Sequence, residues 1–202
     1  LALGTGAGDT SGGFAFRIYR AIDAQRPGSE ITNMAIGGST AADVLRLQVG
    51  RLRERRFDLV LVCVGGNDVV RGISQHVFAR TYRKLIDAIH VTAPGTPVVA
   101  IGVPDVSISP LFADHAAAVR ELARADDRAA RAIAASTGTR YVDLFALTRR
   151  MRDAAGFLSL DRFHPSDEGH AAIAAQALPA VERVLDEAAE TARAARSAPP
   201  VQ

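Results

Sequence analysis

The 202-residue sequence holds one cysteine, no tryptophan and a single lysine, Lys84, among 24 basic residues. One cysteine cannot close an internal disulfide, so a cross-linked scaffold is excluded and Cys63 carries no information on compartment. It stands in the apolar run Leu59-Val60-Leu61-Val62-Cys63-Val64 and reads as a buried, inert thiol. That run is far shorter than the roughly 20 residues that span a bilayer, so the sequence shows no transmembrane segment. Aromatic residues are few, and the densest basic cluster (Arg51, Arg53, Arg55 and Arg56, interrupted by Glu54) has none interleaved with it. It reads as a solvated helix face, and no nucleic-acid partner is expected. No histidine and cysteine spacing suggests a zinc site. Gly4-Thr5-Gly6-Ala7-Gly8 is followed by Asp9 where a dinucleotide fingerprint needs its third glycine, and no phosphate-binding Gly-Lys-Ser/Thr occurs. The Gly-x-Ser-x-Gly nucleophile elbow is also missing. No cofactor and no metal are expected.

What remains is ordinary globular material, 48% hydrophobic and 23% charged with a net charge of +2. Disorder and collagen-like repetition are thereby excluded. Short β-branched runs alternate with longer helical patterns. Helices are expected over residues 14–25, 41–55, 74–91 and 114–136, with a final one starting near Ser166. Strands are expected over 30–36, 59–64, 98–103 and 140–144. Such alternation implies an α/β fold, a three-layer, doubly wound parallel sheet with helices on both faces. Residues 1–190 form the expected domain, and 191–202 read as a frayed tail.

In sheets of this kind ligands bind beyond the carboxyl ends of the strands. The polar and glycine-rich segments fall there. Asp161-Arg162-Phe163-His164-Pro165 places an aspartate three residues before a histidine, close enough to hold the imidazole Nδ1 while Nε2 exchanges a proton. A plain turn with a surface histidine is the alternative. Gly65-Gly66-Asn67-Asp68 follows the most apolar strand, where Asn67 offers a neutral donor for a developing oxyanion. The same four residues also suit an ordinary turn. Gly37-Gly38-Ser39-Thr40 presents backbone N–H groups ahead of a helix, and Ser39 or Thr40 reads as its N-cap. His76, His90, His115 and His170 lie within expected helices and read as structural or solvated. Asp105 and residues 106–112 follow a strand and either line the pocket or form a plain loop.

Together these segments resemble the SGNH hydrolases, the GDSL-type esterases and lipases, a family with four short blocks: Gly-Asp-Ser-Leu, a glycine after the second strand, Gly-x-Asn-Asp and Asp-x-x-His. The last three match here in order, at Gly38, Asn67 and Asp161/His164, and the resemblance extends from Leu1 to about residue 185. It implies a serine esterase or acylhydrolase acting through an acyl-serine. His164 would be the general base, Asp161 its orienting acid, and the Gly38 N–H and Asn67 amide the oxyanion donors. A small-molecule, lipid or carbohydrate ester would be the substrate. An acyltransferase using the same residues, or a non-catalytic binding protein of the same fold, are the alternatives. Acyl length, alcohol, oligomeric state and location, cytoplasmic or exported, are left open.

The first block departs from the pattern, because Gly-Asp-Ser-Leu occurs nowhere in the chain. Leu1-Ala2-Leu3-Gly4 fits the continuation of that block if Leu1 is its leucine. The nucleophilic serine would then stand immediately before Leu1, in a block that follows a first strand. By the resemblance that strand lies centrally, in a 2-1-3-4-5 order. Gly8-Asp9-Thr10-Ser11 and Ser39 are weaker candidates for the nucleophile. The first does not follow a strand, and the second sits beside the position of a donor glycine.

Overall fold

The fold is described from a computed structural model, over residues 1–152 and 156–197. Three strands, β1 (Val60–Cys63), β2 (Val98–Ile101) and β3 (Arg140–Val142), form a parallel sheet in the order β1-β2-β3. Val60 pairs with Val98 and Val99 with Arg140, so the strands stay in step along the sheet. The apolar β2 is buried along its whole length, as expected of a central parallel strand covered on both faces.

Side chains of β2 alternate between two cores, following the period of two inherent to a strand. Val98 and Ala100 join one cluster with Phe78, Leu85 and Ile86 of α4 (Gln75–Thr92), Ala41 of α2 (Ala41–Leu47) and Ala123 and Ala130 of α5 (Ala116–Thr137). Val99 and Ile101 face the other way. They pack with Phe14, Ile18 and Ile22 of α1 (Phe14–Gln25), and with Ile173, Ala177 and Val181 of α7 (Asp167–Ser197). Helix, sheet and helix thus make three layers, the α/β architecture expected. Two short helices complete it, α3 (Gly66–Val70) directly after β1 and α6 (Leu144–Arg150) directly after β3.

Several expectations are corrected. Residues 30–36 form no strand and run half-buried to exposed. Between them and the open edge of β1 lies an apolar groove of about 1390 Å³, lined by Ile31 and Ala35 on one side and Leu59, Leu61 and Cys63 on the other. Asn33 Nδ2 donates to the Ala2 carbonyl at 2.8 Å, but no backbone ladder to this segment forms among the described residues, so its β-branched character is not expressed as a strand. The single helix expected over 41–55 divides at Gln48 into α2 and a 3-10 turn, Val49–Arg53. Another 3-10 turn, Pro110–His115, precedes α5, because Pro110 favours a fresh start. Helix α7 runs as far as Ser197, and 198–202, the end of the expected tail, lie outside the described residues. No helix among the described residues is long and apolar enough to cross a membrane.

Candidate active site

The stretch from residue 156 to the start of α7 is built around one carboxylate. Asp161 Oδ1 accepts the backbone N–H of Phe163 and of His164, both at 2.9 Å, and the Ser159 hydroxyl at 2.8 Å. Its Oδ2 lies 2.6 Å from His164 Nδ1. Desolvation by itself would raise this carboxyl's pKa. The bonds from the His164 ring and from the Phe163 and His164 N–H groups outweigh it and hold the group well below the usual carboxylate range. An ionised acceptor on Nδ1 fixes the tautomer in which Nε2 is free to take a proton. Arg162 adopts a left-handed backbone with φ of 62°, which turns the chain between the two residues. The Arg162 carbonyl accepts the Ser109 hydroxyl at 2.7 Å, and Phe112 meets Phe163 edge-on. Residues 106–112 therefore brace the histidine loop. Asp105 does not enter the site. It is buried, accepting the Ser107 N–H and hydroxyl, and pairs with Arg120.

The second group forms beyond the carboxyl end of β1. Gly65 has φ of 110°, and a Cβ there would come within 2.6 Å of a Val103 methyl, so only glycine turns the chain into α3 at this point. Asn67, on the first turn of α3, donates from Nδ2 to the Ser39 carbonyl at 2.9 Å. One Nδ2 hydrogen remains for another acceptor. Asp68 is buried and accepts the Ala41 N–H on both carboxylate oxygens, at 3.2 and 3.1 Å. Thr40 caps α2 in a capping box with Asp43, the N-cap role read from the sequence. Gly38, with φ of 74°, lies in the turn before it. Gly38, Asn67 and Leu1 all line one small cavity of about 60 Å³.

The chain from Leu1 to Gly8 connects the two groups. Leu1 borders the Gly38 and Asn67 cavity, whereas Gly6 is pressed against His164 and Pro165. Buried His170 anchors this stretch, its Nε2 lying 3.0 Å from the Thr5 carbonyl and its Nδ1 accepting the Phe14 N–H at 3.3 Å. Burial lowers its pKa, consistent with a neutral, structural ring. His90 is likewise structural, 3.0 Å from the Thr139 hydroxyl. Among the described residues no hydrogen bond joins the Asp161/His164 pair to Gly38 or Asn67. No group of three or more histidine, cysteine, aspartate or glutamate side chains among them is placed to hold a metal ion.

Of the weaker nucleophile candidates, Ser11 sits in a 3-10 turn whose N–H groups are capped by Asp9. The Ser39 backbone is engaged by Asn67 and by the Ile36 carbonyl. Cys63, expected to be buried, is a half-buried free thiol, and desolvation raises its pKa. Ser159 and Gly6 escaped sequence reasoning. Ser159 had a local signal, lying two residues before Asp161, but Gly6 had none.

A model of the GDSL-like lipase/acylhydrolase family matches residues 1–172. Among solved structures, TesA superposes with a TM-score of 0.70 at 22% identity, covering 87% of this chain and 91% of that one. Axe2, an acetylxylan esterase from Geobacillus stearothermophilus, gives 0.69 at 21% identity, covering 86% and 80%. The psychrotrophic esterase EstA from Pseudoalteromonas sp. gives 0.69 at 14% identity, covering 88% and 90%. No curated protein matches the sequence.

Proposed function

This chain belongs to the GDSL-like lipase/acylhydrolase family, and on that basis we propose that it cleaves carboxylic esters through an acyl-serine intermediate. His164 acts as general base and Asp161 holds its ring. The Gly38 N–H and the spare Asn67 Nδ2 hydrogen bind the oxyanion. The observation that carries this reading is the path of residues 1–8, which runs from a cavity lined by Gly38 and Asn67 to the flank of His164. A serine hydroxyl at the Leu1 end of that path would lie beside the two donors, and in this reading the His164 imidazole reaches it from the other side of the path.

On this reading the nucleophile is the serine that the family's first block carries before the leucine matched by Leu1. In the reaction the serine Oγ attacks the ester carbonyl and passes its proton to His164 Nε2. Collapse of the tetrahedral adduct then expels the alcohol, which takes that proton. Water, deprotonated by His164, releases the acid and regenerates the serine.

The test is labelling of the native protein with a fluorophosphonate probe, followed by peptide mass mapping. A single adduct on the serine preceding Leu1 is expected. No adduct, or an adduct on Ser11 or Ser39, overturns the assignment.

A further inference from the structure

Gly38 is asked to present its N–H to a developing charge, yet it follows another glycine and nothing in its own side chain restrains it. What restrains it comes from α3 and the residue just beyond. Three hydrogen bonds cross from this short stretch to the loop at 38–41. Arg71 Nη2 donates to the Gly38 carbonyl at 2.8 Å, Asn67 Nδ2 donates to the Ser39 carbonyl at 2.9 Å, and Asp68 accepts the Ala41 N–H at 3.1 Å. Arg71 is itself held at its other end. Its Nη1 lies 3.7 Å from Asp43 Oδ2, the oxygen that also accepts the Thr40 N–H and hydroxyl in the capping box of α2.

We propose that Arg71 is a positioning residue for the oxyanion hole: its guanidinium bridges the Gly38 carbonyl and Asp43, which fixes the Gly38–Ser39 peptide and, through the Gly38 backbone angles, limits how the adjoining Gly38 N–H can turn. This rests on the ester-hydrolase reading above. A guanidinium has donors splayed in a fixed plane, so one side chain can hold two acceptors at a set angle, which a lysine ammonium cannot reproduce. Donors aimed in advance at the oxyanion stabilise the transition state without reorganising during the reaction. Arg71 does this indirectly, since its bond is to the carbonyl of Gly38 and not to the reacting ester.

The experiment compares Arg71→Met and Arg71→Lys with the parent native protein. Turnover of a p-nitrophenyl ester, inhibition by phenylboronic acid and backbone hydrogen–deuterium exchange are followed. For Arg71→Met, kcat is expected to fall about 10- to 100-fold, because a displacement of about 1 Å can cost that much, while KM stays within about twofold. Boronate inhibition should weaken by a similar factor, since its tetrahedral adduct uses the same donors. Exchange should rise at residues 38–41 and nowhere in α4 or α5. Arg71→Lys should recover part of kcat. A raised KM with unchanged kcat would overturn the proposal in favour of direct substrate contact. Unchanged exchange at 38–41 would overturn it as well. A parent protein without esterase activity would defeat the functional reading instead, and the exchange result would still decide whether Arg71 restrains the loop.

Discussion

Asp161 grips His164 twice, through the ring at Nδ1 and through the backbone N–H, using a different carboxylate oxygen for each. The ring and the chain that carries it are thus fixed by one side chain three positions away. Asp161→Asn should therefore preserve the fold of the loop, because an amide oxygen still accepts the Phe163 and His164 N–H groups. The amide N–H₂ can instead face Nδ1 and select the wrong tautomer, for which a fall in kcat of roughly 10⁴ is expected. Parallel measurement of kcat and melting temperature checks this. A variant that retains full turnover would show that Asp161 only shapes the loop.

Asn67 makes one bond to the Ser39 carbonyl and has one hydrogen to spare. Asn67→Ala should lower kcat by about 10²–10³, the usual consequence of losing one oxyanion donor. Stability should fall by only about 1 kcal/mol for the lost Ser39 bond. Steady-state kinetics beside a denaturant titration separate the two effects. Near-parental turnover would remove Asn67 from the chemistry.

Gly6 is placed where a side chain cannot go. Its φ is 97°, and a Cβ would overlap the Pro165 carbonyl oxygen and come within 2.8 Å of His164 Cβ. Gly6→Ala should lose about 1–2 kcal/mol from the left-handed backbone alone. It should also push the 1–8 path away from His164, so that kcat falls more than stability would explain. Calorimetry and kinetics on the purified variant test this, and unchanged values in both would contradict the packing.

Asp126 on α5 has no exposed surface, and neither carboxylate oxygen has a hydrogen-bond partner among the described residues. Burial, reinforced by the nearby Asp68 carboxylate, pushes its pKa up to about 7 from an ordinary 3.8. The folded state therefore keeps this proton up to about pH 7, whereas the unfolded chain releases it near pH 4. The contribution to stability is complete below pH 4 and is lost progressively as pH rises to 7. Asp126→Asn cannot ionise and should escape that loss. Its melting temperature relative to the parent should climb between pH 4 and 7 and then level off. A difference that stays constant with pH would show that Asp126 does not hold a proton in the fold.

The sequence by itself determined the layered α/β class, most helix positions and the Asp161/His164 pair. The physical reason is locality. Hydrophobic period and capping act over a few residues, and an aspartate three positions before a histidine can reach it within one turn. The position of Asn67 after an apolar strand was legible for the same reason. Only the tertiary structure decided what depends on distant partners. Residues 30–36 have the composition of a strand, yet a strand exists only when another backbone lies beside it. Nothing near Gly38 in the chain announced Arg71, and nothing near Gly6 announced His164. Those contacts arise because the turns after β1, the loop before α2 and the loop before α7 are gathered over one end of the sheet, a gathering that packing sets and local sequence does not.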